Sequence, residues 1–134
     1  MLYLDTSILV SAMTSESETE RSQRRLAETP LAEMAVSVWT RTEFASALSI
    51  KVRTGQISLE QSRQSQALCD EFVGAIGAVW SVEDRHFAAA ADLASQPELS
   101  LKAGDALHLA LVLDHGATLV TLDERLARAA EAVG

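Results

Sequence analysis

Four short, mostly apolar segments recur along the chain, and longer segments with a different hydrophobic spacing separate them. The short segments read LYL from Leu2, MAVSVW from Met34, AVWSV from Ala78 and TLVTL from Thr118. Short apolar runs of this kind are typical of strands in a sheet that is buried on both faces. The pattern therefore predicts four β-strands.

The longer segments carry apolar residues at helical spacing. Helices are expected from about Thr6, from Ser17 to Glu28, from Thr40 to Gly55, after Ser58, around Phe87, from Lys102 to Asp114, and over DERLARAAEA. The predicted inward face of the fourth helix consists of Leu68, Phe72 and Ile76, and that of the fifth consists of Phe87, Ala90, Ala91 and Ala94. The sixth helix is apolar almost all round, so we expect it to be buried.

Strands that alternate with helices predict an α/β fold in which three layers, α/β/α, hold a central, mostly parallel sheet of four or five strands. The length of 134 residues suits one such domain, residues 1–134. Helices of this fold run antiparallel to the strands, so strand C-terminal ends and helix N-terminal ends share one edge of the sheet. Ligands of open α/β sheets bind at that edge.

Four acidic residues fall at this edge in the predicted arrangement. Asp5 directly follows the first strand and Asp123 the fourth, while Glu43 and Asp105 lie in the first turns of predicted helices. Carboxylates held close together repel, raise one another's pKa and destabilise the fold unless a cation neutralises them. Oxygen ligands of this kind suit Mg²⁺ or Mn²⁺ better than zinc. The sequence thus predicts a divalent metal site.

Each of the four acids also fits a role at a helix terminus. Asp5 and Asp123 are favourable N-caps, Glu43 stands three residues after Thr40 at capping-box spacing, and Asp105 would interact favourably with a helix dipole. Fold stability gives no reason to gather four carboxylates on one edge, which favours the metal site. 

Two further acids at a strand end are interpreted as structural. Glu83 and Asp84 follow the third predicted strand, and Ser81 stands at capping distance from Asp84. These two residues therefore serve as an internal comparison for the four acids assigned to the metal site.

The charge balance restricts how the chain can bind nucleic acid. There are 19 acidic and 11 basic residues, giving a net charge of −8, whereas a surface that binds nucleic acid broadly needs an excess of Lys and Arg. Any such contact must therefore be local. The lone Cys69 cannot form an internal disulfide, and no apolar run approaches the roughly 20 residues of a membrane span. We expect a cytoplasmic protein that does not enter a membrane.

Four segments of the sequence carry a family resemblance. In order, YLDTSILV, TRTEFASAL, GDALHLALV and LVTLDERLARAA resemble the four acidic motifs of PIN-domain ribonucleases, and the chain length is similar to that of VapC toxins from VapBC toxin–antitoxin systems. The resemblance covers essentially the whole chain. It implies that Asp5, Glu43, Asp105 and Asp123 are metal-binding acids, and that Thr6, Ser7 and Thr121 are polar residues that support them.

The resemblance also implies an activity and partners. A member of this family would be a Mg²⁺-dependent endoribonuclease, with Mn²⁺ as a second suitable ion, and would act on RNA. It would be held inactive by a cognate VapB-like antitoxin with a basic segment, and it would form a homodimer. Family members commonly add a short strand after the last helix, which this sequence leaves missing or only begun.

The predicted chemistry assigns a role to each acid. Asp5, Asp105 and Asp123 would hold the metal directly or through its waters, and Glu43 would complete the metal's ligands or orient the attacking water. Arg41 fits either a bidentate phosphate contact or a surface ion pair. His108 lies one helical turn after Asp105 and fits either a structural histidine or a residue that holds a carboxylate.

Other classes fit the sequence less well. A receiver domain needs an acceptor Asp at the end of the third strand, where this chain reads WSV, and a haloacid-dehalogenase-like phosphatase needs an Asp at the position of Ser7. Two alternatives remain open. One is a PIN-like nuclease outside a toxin–antitoxin pair, and the other is a non-catalytic PIN-like module that binds a metal or a partner.

Overall fold

Four parallel strands form the central sheet of the computed structural model, which describes residues 1–134. The strands are β1 (Leu2–Leu4), β2 (Met34–Ser37), β3 (Ala78–Trp80) and β4 (Thr118–Val120). Their order across the sheet is β3-β2-β1-β4, and each neighbouring pair is parallel. Tyr3 pairs with Ala35 on one side and with Leu119 on the other. The predicted α/β fold with a parallel sheet is confirmed, with four strands.

Seven helices connect and cover the strands. They are α1 (Thr6–Met13), α2 (Thr19–Ala27), α3 (Val38–Arg53), α4 (Leu59–Ala75), α5 (Asp84–Ala94), α6 (Ala103–His115) and α7 (Glu124–Val133), with short 3₁₀ turns at Leu31–Glu33 and Pro97–Leu99. The number and order of the helices agree with the prediction. None of the seven combines the length with the apolar content that crossing a bilayer requires.

The side chains of β1 and β2 alternate between two cores. Leu4, Met34 and Val36 pack with residues of α1, α3 and α4 on one face of the sheet. Tyr3 and Ala35 point to the other face, where they pack against α6. Every residue of α6 from 106 to 112 is buried. The helix therefore lies against the sheet as its apolar sequence predicts, and the three layers follow from the two-residue period of the strands.

The start of α3 differs from the prediction. Strand β2 ends at Ser37, which is the N-cap of a helix that begins at Val38, not at Thr40. The backbone N–H of Ser37 donates to the hydroxyl of Thr40 at 3.4 Å. Thr40 is therefore the third helical residue of a capping box whose N-cap is Ser37, and is not an N-cap itself. The expected pairing of Thr40 with Glu43 is therefore wrong. Glu43 lies in the second turn of α3, one turn beyond its predicted position.

The inward faces of α4 and α5 were predicted only in part. Leu68 is exposed, and its neighbour Cys69 is buried instead, although Phe72 and Ile76 are partly buried as expected. The hydroxyl of Ser65 donates to the carbonyl of Met13 at 2.7 Å, and this contact with α1 fixes the rotation of α4.

In α5 the residues that point inward are His86, Ala90 and Leu93, whereas Phe87, Ala91 and Ala94 are exposed. The reason is His86, whose ring accepts from the Glu83 backbone N–H at 2.9 Å and contacts Asp114 of α6 at 2.8 Å. These two hydrogen bonds turn the alanine-rich side of the helix partly outward. Helix α5 begins after Glu83 and not after the predicted cap, Ser81.

Candidate functional site

The four predicted acids border the same edge of the sheet. Asp5 follows β1 and caps α1, Asp123 follows β4 and caps α7, Asp105 lies in the first turn of α6, and Glu43 lies on α3 after β2. Burial raises the pKa of Asp105, and the charges of Asp123, Glu43 and Asp5 raise it further. The structure thus brings the four carboxylates close enough to act on one another, as expected from their placement in the sequence.

Asp5 is held in one orientation from several directions. Its Oδ1 accepts hydrogen bonds from the Ser7 hydroxyl at 2.6 Å, the Ser7 N–H at 3.1 Å and the Ile8 N–H at 3.4 Å. Its Oδ2 accepts from the Thr121 hydroxyl at 2.6 Å. Only 3% of Asp5 is exposed, and this burial raises its pKa although the hydroxyls of Ser7 and Thr121 favour the charged form. Asp5 is therefore both an N-cap and a fixed, buried acid of the edge.

Glu43 is held by a buried chain of hydrogen bonds. Its Oε1 accepts from the Thr6 hydroxyl at 2.6 Å and from Nε2 of His108. Nδ1 of His108 in turn contacts the Tyr3 hydroxyl at 2.7 Å, and that hydroxyl lies 2.8 Å from Oγ of Ser37. Burial raises the pKa of Glu43, but the hydrogen bond and charge of His108, with the Thr6 hydroxyl, outweigh it, so the pKa is lowered. Glu43 is consequently kept ionised inside the fold.

Gly104 allows Glu43 to lie against α6. A Cβ atom at this position would stand 2.8 Å from Oε2 of Glu43 and 3.3 Å from Cζ2 of Trp39. Nε1 of Trp39 donates to the Gly104 carbonyl at 3.3 Å, which holds α3 against the start of α6. The absence of a side chain at Gly104 therefore lets α3 and α6 approach closely enough to set Glu43 beside Asp105.

Asp105 and Asp123 are the less constrained acids. Oδ1 of Asp123 caps α7 by accepting from the N–H groups of Arg125 and Leu126 at 2.8 Å and 3.1 Å. Its Oδ2 accepts no hydrogen bond within the chain, and neither do the two oxygens of Asp105 or Oε2 of Glu43. Capping and ligand binding are compatible at Asp123, because the two oxygens of one carboxylate can serve them separately. These oxygens are free to bind a cation.

Three of the four predicted supporting residues contact the acids directly. Ser7 and Thr121 hold Asp5, and Thr6 holds Glu43. Thr121 also accepts from the Asp123 backbone N–H at 3.0 Å. The hydroxyls thus connect acids that come from different strands.

Arg41 is placed elsewhere. It is exposed and lies outside the groove beside Glu43. Its charge acts on Cys69 of α4: burial and the neighbouring Asp70 raise the pKa of that thiol to about 11, and Arg41 partly opposes them. Glu83 and Asp84 form no hydrogen bond with any of the four acids. Glu83 instead caps α5 and pairs with Arg85.

An open groove of about 710 Å³ lies between α1 and α3, beside two of the four acids. Thr6, Glu43 and Asp123 line it together with the apolar residues Trp39 and Ile50. Glu43 and Asp123 are therefore reached from an open surface, as a macromolecular ligand requires, whereas Asp5 is buried behind them.

A second group of possible metal ligands lies at the other end of α6. His86, Asp114 and His115 bring their ligand atoms within 4.8 Å of one another, which no three of the four acids do. About ten residues of helix, roughly 15 Å, separate this group from Asp105. Because Nδ1 of His86 accepts from a backbone N–H, its Nε2 carries the proton that is donated to Asp114. The hydrogen bonds explain this group without a metal.

Sequence reasoning placed the four acids at one edge but did not find all the residues that position them. Tyr3 was interpreted only as part of a strand, Gly104 and Trp39 were not singled out, and His108 was left between two roles. The contact of His108 with Glu43 gives it the role of holding a carboxylate. A histidine one helical turn after an acid, on the same helix face, was the available signal.

The profile of the PIN domain matches residues 2–132. The chain therefore belongs to the PIN domain family, which confirms the family resemblance. No curated protein matches the sequence significantly.

Solved structures of VapC toxins and VapBC complexes share the fold. VapC20 of Mycobacterium tuberculosis, described as a sarcin–ricin loop cleaving toxin, superposes with a TM-score of 0.77 at 16% identity, over 96% of this chain and 95% of that one. FitAcB from Neisseria gonorrhoeae gives a TM-score of 0.71 at 20% identity, over 98% and 94% of the two chains. VapBC2 from Rickettsia felis, bound to a promoter DNA fragment, gives 0.66 at 20% identity, over 96% and 92%.

Proposed function

We propose that this PIN domain is a Mg²⁺-dependent endoribonuclease and the toxin component of a type II toxin–antitoxin system. The observation that carries the proposal is the placement of Asp5, Glu43, Asp105 and Asp123 at one edge of the sheet, where Glu43, Asp105 and Asp123 each keep at least one oxygen that no group of the chain occupies. A purely structural set of caps would not need to hold Glu43 and Asp105 beside one another. The same set of acids speaks against a non-catalytic module.

The residues present fit a hard divalent cation. All four donors are carboxylates. Burial and the neighbouring acids disfavour the charged form of Asp105 and raise its pKa, and a bound cation would favour that charged form. Because no three acids bring their oxygens within 4.8 Å, some of the metal's ligands would be its own waters, which Mg²⁺ commonly retains. Mn²⁺ also suits this donor set.

The chain's own residues would prepare the site for phosphodiester hydrolysis. A bound metal would neutralise charge on the phosphate and lower the pKa of a coordinated water. Ser7 and Thr121 hold Asp5 in place, while Thr6 and His108 occupy one oxygen of Glu43 and leave Oε2 to orient the attacking water. The lowered pKa of Glu43 keeps this oxygen able to accept a hydrogen bond.

The proposed partners follow from the toxin assignment. The substrate would be RNA, and the VapBC complexes among the structural neighbours support a VapB-like antitoxin as the partner. The antitoxin would place a basic segment at the carboxylates. The toxin would act in the cytoplasm as a homodimer. A PIN nuclease outside a toxin–antitoxin pair is the second candidate, and a small neighbouring gene for a DNA-binding antitoxin would separate the two.

RNA cleavage by the purified protein tests the proposal. Wild type should cleave RNA with Mg²⁺, lose the activity in EDTA and recover it when Mg²⁺ is restored. Asp5→Asn should be inactive under all three conditions, while Glu83→Gln, at an exposed cap remote from the edge, should resemble wild type. Cleavage that persists in EDTA, or an active Asp5→Asn protein, would contradict the proposed site.

A further inference from the structure

A small cavity with three basic residues adjoins two of the four acids. It measures about 280 Å³, contains no hydrophobic residue in its lining, and includes both Asp105 and Asp123. Lys102, at the start of α6, and Arg125 and Arg128, on α7, provide the positive charges. We refer to this space as the basic cavity.

The three basic side chains are not engaged by the two acids. No ion pair within 4.0 Å joins Lys102 or Arg125 to any acid. Arg128 donates from Nε to the Glu124 carbonyl at 3.3 Å, and its ion pair with the Glu124 side chain is 4.0 Å long between two exposed side chains. An exposed pair at that distance adds little to stability. The three cations remain available to a ligand.

Asp123 separates the basic cavity from the groove beside α1 and α3, since it lines both. The groove has no Lys or Arg in its lining and contains Trp39, Val10 and Ile50 instead. A strand that crosses the acids would therefore meet positive charge on one side of Asp123 and apolar surface on the other. The two sides of Asp123 therefore offer different surfaces to the two ends of a bound strand.

The charge of the basic cavity depends on the state of the acids. Its lining has three cations and three carboxylates, those of Asp105, Asp123 and Glu124, so its formal charge is zero. A divalent cation bound to Asp105 and Asp123 would bring it to +2. The cavity would then attract phosphate even though the whole chain carries a charge of −8.

We infer that the basic cavity binds a backbone phosphate of the RNA next to the phosphate that is cleaved, with Lys102 and Arg125 as the main contacts and Arg128 beside them. The inference rests on the proposed nuclease function. It assigns the local nucleic-acid contact that a chain of this acidity requires, because the positive charges adjoin the reacting edge and are not spread over the surface.

A matched pair of double variants tests this binding site. Lys102→Gln/Arg125→Gln alters the basic cavity, whereas Arg53→Gln/Arg63→Gln removes two positive charges from exposed positions on α3 and α4 outside both spaces. Binding of a short single-stranded RNA analogue that resists cleavage is measured with Mg²⁺, in protein that keeps all four acids, over a range of salt concentrations. Loss of two phosphate contacts should weaken binding roughly tenfold at low salt and lower the slope of log K against log salt by about 1.4.

The control pair should retain the slope of the wild-type protein. With cleavable RNA, the Lys102 and Arg125 pair should raise KM with little change in kcat. Equal RNA binding by the two pairs would overturn the inference, whether the protein cleaves RNA or not. Absence of any RNA cleavage by wild type with Mg²⁺ would instead overturn the proposed function, so the two failures are distinguishable.

Discussion

His108 on α6 and Glu43 on α3 are joined by a hydrogen bond from Nε2 to Oε1, so a buried imidazole holds one of the four edge acids. The contact connects the two helices that carry Glu43 and Asp105. Behind it, the Tyr3 hydroxyl on the central strand contacts Nδ1 of the same ring at 2.7 Å. The position of Glu43 is therefore set by three elements that are far apart in sequence.

Replacing His108 should impair both stability and activity. In His108→Phe, Glu43 keeps the Thr6 donor but loses the imidazole. The Tyr3 hydroxyl keeps Ser37 but loses Nδ1, so the lost buried hydrogen bonds should cost about 1–3 kcal/mol in total. Urea unfolding in EDTA should show this loss, and kcat should fall more than KM changes. Tyr3→Phe is the control, because it removes the outer hydroxyl but keeps the contact between His108 and Glu43. Equal kcat values for the two variants would contradict a positioning role for His108.

Substitutions of the acids should be strongly non-additive. Asp5→Asn and Asp105→Asn should each remove nearly all RNA cleavage, and the double variant should be scarcely worse, because residues that act as one unit are not independent. Single-turnover cleavage rates with Mg²⁺ provide the measurement. Activities that multiply in the double variant would mean that Asp5 and Asp105 serve separate functions.

The stability of Asp105→Asn should reverse its order relative to wild type when metal is added. Burial and three nearby acids raise the folded-state pKa of Asp105, so the folded protein loses stability as pH climbs above the unfolded pKa of Asp. In EDTA at pH 7 the variant should melt at the same temperature as wild type or higher. With Mg²⁺ at a hundredfold excess over Kd, wild type should gain roughly 2.7 kcal/mol, and the variant should lose most of this gain.

Thermal melts of both proteins in the two buffers check this expectation. A carboxylate that only stabilises a helix terminus behaves differently, with a loss of about 1 kcal/mol whether metal is present or not. Equal destabilisation of Asp105→Asn in EDTA and in Mg²⁺ would therefore identify a helix-terminus residue and not a metal ligand.

Gly104→Ala should damage the site more than the fold. Gly104 is the second residue of α6, so alanine should gain there at most the roughly 1 kcal/mol by which it is favoured over glycine inside a helix, and its Cβ would stand 2.8 Å from Oε2 of Glu43. We expect Glu43 to shift and kcat to fall, with little net change in melting temperature. Gly74→Ala in α4 is the matched control, because its Cβ would meet nothing within 4 Å. Full activity in Gly104→Ala would show that Glu43 tolerates displacement.

The antitoxin should neutralise the acids with an arginine. A guanidinium matches carboxylates in geometry and can take the place of the metal. Removal of that arginine from the antitoxin should weaken inhibition of RNA cleavage, measured by titrating antitoxin against a fixed amount of toxin. An antitoxin that inhibits fully without any basic residue near Asp5 and Asp123 would exclude this mechanism.

The edge and its acids could be predicted because they depend on short-range pattern. The apolar run before Asp5 and the all-round apolar sequence of α6 each predict an element directly, and the topology then places their ends together. The start of α3 was less certain, since Ser37 and Thr40 are both acceptable caps and only the length of β2 selects Ser37.

Contacts between remote elements could not be predicted in the same way. The rotation of α5 depends on the bond between His86 and Asp114, which lie 28 residues apart. Likewise, glycine is needed at position 104 because side chains of α3 lie against it, and the sequence around Gly104 gives no sign of that contact. Such requirements arise from packing, whereas hydrophobic spacing reports only the local element.

The two tryptophans lie in different surroundings, which gives the protein two separate optical reporters. Trp39 borders the groove and donates to the carbonyl of Gly104, beside Glu43. Trp80 stacks on His115 with ring centroids 3.7 Å apart, at the opposite end of α6. In a Trp80→Phe protein, the remaining fluorescence would come from the edge that carries the acids. Metal titration would then be followed as an emission change, without an RNA substrate.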